Sequence, residues 1–366
     1  MAEASAVKKK VVVGMSGGVD SSVAAALLVR AGHDVRGVFM RNWTGATDGS
    51  VECGWRNERE DAAAVADRLG IGLETWDFED DYRRDVYCYM IDEYASGRTP
   101  NPDVLCNEKV KFGPFLRRAL EGGADAVATG HYARLDGGST AGIRLLAAED
   151  GNKDQTYFLH RLSQGQLAHV EFPVGGLAKP QVRELARELG LPTAEKKDSV
   201  GLCFVGDVDF RRFLMERLPD GRPGPIVTVD GRVVGRHGGI GPYTIGQRRG
   251  LGLSDGRAYF VVEKDVGRNT LIVAQGEDPS ELYADGLIAD DLRWVAGQVP
   301  ELPLRCRARI RHRQPLQECT VTAGQEDGQI EVQFPEPQRA VSPGQFVVFY
   351  SGEECLGGGK IARTKN

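Results

Sequence analysis

Residues 14–22, GMSGGVDSS, set three glycines and three serines directly after the apolar run VVV and directly before an alanine- and leucine-rich stretch. A glycine-rich turn between a strand and a helix offers backbone N–H groups and the positive helix end to an anion. Gly14, Gly17 and Gly18 let the backbone come close, and Ser16, Ser21 and Ser22 add hydroxyl donors. A Walker loop would carry a lysine here, and this one has none. Asp20 is the odd member: beside phosphates an acid is repulsive unless a cation such as Mg²⁺ lies between, or unless it caps the helix.

Two cysteines could add nucleophilic chemistry. Cys106 lies in GRTPNPDVLCNEKVKF, residues 97–112, where two prolines fix an extended turn. It is expected where a helix begins, a setting that lowers a thiol pKa. Asp103, three residues earlier, is placed to exchange a proton with a substrate held in the turn. Cys203 lies in AEKKDSVGLCFVG, close to Lys196 and Lys197, which could stabilise a thiolate or persulfide or could be solvated surface charges. The alternative for each thiol is a buried, inert cysteine. Polar, turn-forming neighbours weigh against it at Cys106, and the pairing with Cys106 decides the reading of Cys203.

The elements that must hold these residues are legible as periodicities. Residues 11–13, 35–40, 73–78 and 124–129 read as strands, and residues 21–30, 58–69, 82–94 and 110–120 as helices. Gly32 and Gly70 fall just past two of those helices, where a left-handed closing residue is expected. The alternation predicts an α/β fold, a doubly wound parallel sheet whose ligands gather beyond the carboxyl ends of the strands. KPQVRELARELG and DVDFRRFLMERL read as two more helices flanking the Cys203 loop. From about residue 221 the pattern changes to alternating runs separated by glycine turns, which predicts two small, mainly β, barrel-like domains. The expected boundaries are 8–208 for the catalytic domain with its helical extension, 209–281 for a central β domain and 282–366 for a C-terminal barrel that binds RNA.

The 366 residues carry a formal net charge of −6, 41% hydrophobic and 27% charged residues, and no apolar run long enough to span a bilayer. MAEASAVKKK lacks a signal-peptide core, so a cytoplasmic protein is expected. Seven scattered cysteines do not read as a disulfide framework. Net acidity argues against nucleic acid as a partner, but one local patch argues for it. Arg305, Arg307, Arg309, Arg311 and Arg313 recur at every second position, which on a strand puts five guanidinium groups on one face suited to RNA phosphates. The alternative is a solvated or acid-paired face. His33 and His237 read as ordinary surface or loop histidines.

The string S-G-G-x-D-S-S resembles the PP-loop of ATP pyrophosphatases, which split ATP between the α and β phosphates and leave AMP on a substrate oxygen. With FMRNW, GRTPNPDVLCN, VATGHYAR, NKDQTYFL, KKDSVGLCF, TIGQRRGLG, VSPGQ and CLGGG, in this order along nearly the whole chain, the sequence resembles the tRNA-specific 2-thiouridylase family (MnmA, TrmU). That resemblance implies adenylation of the C2 oxygen of a wobble uridine, then sulfur transfer from a cysteine persulfide with release of AMP and pyrophosphate. It implies ATP contacts at Gly14, Met15, Ser16, Gly17, Gly18, Val19, Asp20, Ser21, Met40 and Gly130. It implies base contacts at Asn101, Pro102 and Asp103, and tRNA contacts at His131, Lys153, Asp154, Gln155, Arg311, His312 and Gln345. Cys106 would be the nucleophile, Cys203 the persulfide carrier and Asp103 the acid–base group, with a transient disulfide between the two cysteines. The KKDSVGLCF stretch must then fold over the sheet edge and is expected to be mobile.

ATP with Mg²⁺, tRNA and a sulfur carrier or cysteine desulfurase are the implied cofactors and partners, for a chain acting as a monomer without a membrane. D-x-x-C stands where some sulfur-transfer enzymes have C-x-x-C, which argues against an iron–sulfur cluster. Two other readings stay open from the residues alone: a PP-loop ligase or transferase with incidental cysteines, or a non-catalytic nucleotide- and RNA-binding protein.

Overall fold

The computed structural model describes residues 7–44, 55–139, 142–197, 210–218, 221–253 and 256–365. Strand β1 (Lys10–Gly14) buries Val11 and Val13 in one apolar layer and Val12 in another, as a strand covered on both faces must. Helix α1 (Val19–Arg30), strand β2 (Asp34–Arg41), helix α2 (Trp55–Leu69) and strand β3 (Leu73–Asp77) follow in right alternation for crossover connections. Gly32 and Gly70 close α1 and α2 at φ +83° and +66°, as expected.

Between β3 and strand β4 (Ala126–Ala128) the chain is helical, but less regularly than the periodicity predicts. Helices α3 (Glu79–Tyr82) and α4 (Cys88–Ala95) are joined by a π turn, and α5 (Pro102–Cys106) runs through a second π stretch into α6 (Leu116–Glu121). The second stretch kinks at Phe112 and Gly113, because Pro114 can neither donate to the preceding turn nor clear its carbonyl. After β4 come the hairpin β5 (Arg134–Ser139) and β6 (Gly142–Leu146), short helices α7 (Thr156–Leu159) and α8 (Gln164–Leu167), strand β7 (Val170–Glu171) and helix α9 (Lys179–Glu188). The first sheet runs β3-β2-β1-β4-β7, all parallel. Strand order reverses between β1 and β4, so the loop after β1 opens at the switch point where such sheets bind ligands.

Helix α10 (Phe210–Arg217) leads into a four-stranded sheet, order β10-β11-β8-β9, made of β8 (Gly224–Thr228), β9 (Val233–His237), β10 (Tyr259–Asp265) and β11 (Thr270–Gln275). The last strands are β12 (Tyr283–Trp294), β13 (Leu304–Arg309), β14 (Gln317–Ala323), β15 (Ile330–Arg339), β16 (Phe346–Ser351) and β17 (Glu354–Lys365). They run β12-β15-β14-β13-β16-β17 and close on themselves through β12 and β17, a six-stranded barrel with its own core around Leu287, Val321 and Phe349. Hairpin β5–β6 extends this sheet, pairing Cys355 with Leu145, so the catalytic domain and the barrel share one run of strands. Among the described residues no helix is long and apolar enough to cross a membrane.

Candidate nucleotide and thiol site

The loop after β1 is held by its own hydroxyls. Ser21 Oγ accepts from the Ser16 amide at 3.2 Å and donates to the Gly18 carbonyl at 3.1 Å, and Ser22 Oγ donates to the same carbonyl at 2.8 Å. Gly17 takes φ +73°, and a Cβ there would stand 2.2 Å from the Glu58 carbonyl of α2, so only glycine fits. Gly18 is the N-cap of α1 and makes no side-chain cap bond, which leaves the first helical N–H groups for an anion. Gly130 closes the loop from β4: a Cβ there would meet the Ser21 amide at 2.5 Å. Met40 is buried at the end of β2.

Of the two sequence alternatives for Asp20, the structure overturns the helix cap. The Asp20 carboxylate is already engaged: the Tyr132 hydroxyl donates at 2.7 Å and Lys179 Nζ at 2.7 and 2.9 Å. Neither partner was singled out in the sequence, because no local spacing connects the first residue of α9 to the first turn of α1.

Cys106 corrects a second expectation. The helix begins at Pro102, so the thiol sits at the far end of α5 and away from the positive helix terminus. It is 1% exposed, and burial, helped by Asp103, pushes its pKa up to about 12 against the opposing pull of Lys111. The continuation of this helix reaches the loop: Phe115 packs against Gly14, and the Phe112 ring lies 5.9 Å from that of His131. Burial, with Lys111 nearby, holds the His131 pKa well below its ordinary value, so the ring is neutral, and its Nδ1 is 2.7 Å from Thr129 Oγ1. Cys203 lies outside the described residues, as does the KKDSVGLCF loop from Asp198 onward.

The positions expected to touch tRNA turn largely inward. Asp154 is 2% exposed, with Thr156 Oγ1 at 3.0 and 2.8 Å from its carboxylate oxygens and Arg309 Nη1 at 3.6 Å. His312 Nε2 donates to the Asp154 carbonyl at 3.0 Å, Gln155 Oε1 accepts the Tyr132 amide at 2.9 Å, and Arg311 Nη2 donates to the Ala340 carbonyl at 2.6 Å. Gln345 donates to the carbonyls of Thr99 and Pro100 at 2.8 and 3.1 Å, just before Asn101, Pro102 and Asp103. Lys153 is half-buried. Asp154, with Arg309 and His312, and Gln345, with Thr99 and Pro100, stitch the barrel to the catalytic domain. The five-arginine face is shortened for the same reason: β13 ends at Arg309, whose guanidinium turns to Asp154, and Arg313 sits at φ +67° beyond the strand. His237 is buried rather than on the surface, donating from Nε2 to the Asn269 carbonyl at 3.1 Å.

Family models match three successive stretches: a tRNA methyl transferase HUP domain over residues 9–207, a tRNA methyl transferase PRC-barrel domain over 211–275, and an aminomethyltransferase beta-barrel domain over 284–361. The chain is 52% identical over 353 residues to tRNA-specific 2-thiouridylase MnmA 2 of Geobacillus kaustophilus, spanning 96% of this chain and 94% of that one. It belongs to the tRNA-specific 2-thiouridylase family. Two further members are the MnmA proteins of Tolumonas auensis, 52% identical with 96% of each chain covered, and of Alkalilimnicola ehrlichii, 50% identical with 96% and 97% covered. In this 2-thiouridylase family member one more residue stands out that its sequence did not flag. Asn42, within FMRNW, is 1% exposed, and neither of its amide atoms has a hydrogen-bond partner among the described residues.

Proposed function

We propose that the chain makes 2-thiouridine in tRNA. The uridine C2 oxygen attacks the α phosphorus of ATP, the bond to the β phosphate breaks, and pyrophosphate leaves. Cys106 then attacks the Cys203 persulfide, which forms the Cys106–Cys203 disulfide and releases hydrosulfide. Hydrosulfide adds at C2 and expels AMP, and an external thiol reduces the disulfide. Direct attack by the Cys203 persulfide on C2 is the other order of the same steps, and it ends in the same disulfide.

The observation that carries this reading is the meeting at the sheet's switch point. Gly130 lies against the open N-terminus of α1, and Gly14 lies against Phe115, in the kinked helical stretch that follows Cys106. The loop's amides would hold the departing pyrophosphate, and Asp103 would carry the proton transfers. As it stands the Cys106 thiol is protonated and covered, so tRNA binding must uncover it before it can act.

Mg²⁺ is expected with ATP, and the described residues group no ligand set for it. Asp20 is paired with Lys179, and the described residues contain no group of three or more metal-ligating side chains. In this reading the ion enters on the phosphates, and the sulfur comes from a carrier or cysteine desulfurase. The protein acts as a cytoplasmic monomer, with the outer residues of the barrel and seam, among them Lys153, Arg305 and Arg307, on tRNA. The test is mass spectrometry of tRNA nucleosides after reaction with ATP, Mg²⁺ and a protein persulfide. 2-Thiouridine appearing with AMP and pyrophosphate supports it, and methylated uridine in place of thiolated uridine overturns it.

A further inference from the structure

The barrel core holds two thiols face to face. Cys306 on β13 and Cys319 on β14 stand directly opposite each other in the antiparallel register. Alternation turns both inward: Arg305 and Arg307 on one strand and Glu318 and Thr320 on the other lie on the outer face, while the cysteines join Val321 and Phe349 in the core. Both thiols are free, and their Sγ atoms are 3.6 Å apart. Directly opposed residues of an antiparallel pair have Cα atoms about 4.5–5.5 Å apart, inside the range that a disulfide spans. Side-chain rotation can therefore bring sulfur onto sulfur with both strands left in place. Cys355 is equally buried, but among the described residues no other thiol bonds to it or shifts its pKa.

The chain between the two cysteines carries the barrel's side of the seam. Arg309 faces the Asp154 carboxylate at 3.6 Å, His312 donates to the Asp154 carbonyl, and Arg311 donates to the carbonyl of Ala340. A bond between Cys306 and Cys319 would close this stretch into a loop at its root.

We propose that Cys306 and Cys319 form an oxidisable dithiol, a reversible modification site that staples β13 to β14 beneath the seam. The oxidant is a peroxide, which takes two electrons. The Cys306 thiolate attacks the peroxide O–O bond and becomes a sulfenic acid, and the other oxygen leaves as water with that thiol's proton. The Cys319 sulfur then attacks the sulfenic sulfur, the S–O bond breaks, and the hydroxyl leaves as a second water with the Cys319 proton. The contact with Cys306, and then burial, raise the Cys319 pKa, so Cys319 keeps its proton until that second step. An external dithiol reverses the bond by exchange. Neither cysteine takes part in the proposed thiolation chemistry, so the staple stands or falls independently of it.

The test treats the full-length protein with hydrogen peroxide, caps the remaining thiols with N-ethylmaleimide in denaturant and maps the cysteines by non-reducing peptide mass spectrometry. The Cys306 and Cys319 peptides should appear joined in most molecules, lighter by two hydrogens than their sum, and dithiothreitol should release them. Cys355 should be recovered as the maleimide adduct. Hydrogen exchange over residues 307–318 should slow by about fivefold or more in the oxidised protein, because local opening must now stretch a closed loop. In Cys319→Ala, peroxide should leave that exchange unchanged. Three results overturn the proposal: both cysteines recovered as maleimide adducts after exposed Cys88 has been oxidised, sulfinic or sulfonic acid in place of the bond, or a joined peptide whose exchange matches that of the reduced protein.

Discussion

The phosphate loop and Cys106 pack into the two cores that sandwich one sheet, and they are prepared to opposite degrees. Met15 and Val19 anchor the loop in the α1–α2–α9 layer, and its glycine carbonyls and serine hydroxyls are already in their bonds while the N-terminus of α1 is left open. Cys106 sits in the other core among Val104, Val110 and Phe115, protonated and shut away from solvent. Binding a polyanion needs fixed dipoles and no rearrangement; a thiol needs protection from oxidation and alkylation until its target is present. The chain keeps the first ready and the second covered.

The largest expected effects would break that comparison outright. Cys106→Ser and Cys203→Ser should each lower tRNA thiolation on the order of a thousandfold or more, as loss of a nucleophile does. Nucleotide binding should persist in both, because the loop's geometry depends on neither thiol. Retained thiolation in either variant would return the chain to the ligase reading with incidental cysteines. Next in size is the accessibility of Cys106. In the free protein it should alkylate far more slowly than exposed Cys88 throughout pH 7–9, because its pKa is pushed up to about 12 and its thiolate becomes appreciable only near that pH. Adding tRNA with ATP should speed labelling, and equal rates in the free protein would show that the thiol is not covered.

Two stability measurements sharpen the same contrast at the seam and at the loop. Asp154→Ala removes the buried carboxylate that faces half-buried Arg309 and should lower unfolding free energy by about 3 kcal/mol, the scale of a broken buried pair. A variant that unfolds normally but loses tRNA would instead make Asp154 the direct contact that the sequence implied. Gly17→Ala must hold φ +73° and displace the Glu58 carbonyl, so a loss of about 2 kcal/mol is expected, seen as a lower denaturation midpoint. ATP affinity should fall with it, since the loop cannot keep its shape.

How much of this was legible follows from sequence distance. β1, the loop and α1 were readable because every signal is local: an apolar run, glycines, then helical periodicity. The closing glycines Gly32 and Gly70 were readable for the same reason. The stretch 110–120 was read as one helix straight through Pro114, so its kink went unseen, and the run from Pro102 hid where the helix before it begins, and with it the burial of the thiol. Hairpin β5–β6 went unread because its partner is β17, at the other end of the chain. Lys179, Thr193 and Lys196 at the loop, and Arg309 at Asp154, are charge and hydroxyl partners whose pairing exists only in three dimensions. Alternation in 305–313 was real for Arg305, Arg307 and Arg309, but alternation cannot tell an outward guanidinium from one pulled onto a buried acid.

That last distinction yields the smallest effect and the finest test of the barrel's role. Arg305 is exposed on β13, whereas Arg311, half-buried beyond the strand, spends its guanidinium on the carbonyls of Ile245 and Ala340. Arg305→Ala should leave stability within about 0.5 kcal/mol. If Arg305 meets one phosphate, it should weaken tRNA binding and reduce the slope of log affinity against log salt by about 0.7–0.9. Arg311→Ala should do the reverse, lowering stability by about 1 kcal/mol or more through lost buried hydrogen bonds. Its salt slope should stay unchanged, because a guanidinium bonded to carbonyls displaces no counter-ions from RNA. Salt titrations of tRNA binding to both variants decide the matter. An unchanged slope in Arg305→Ala would move the RNA contact off this strand, and a reduced slope in Arg311→Ala would mean that tRNA draws that arginine out of the seam.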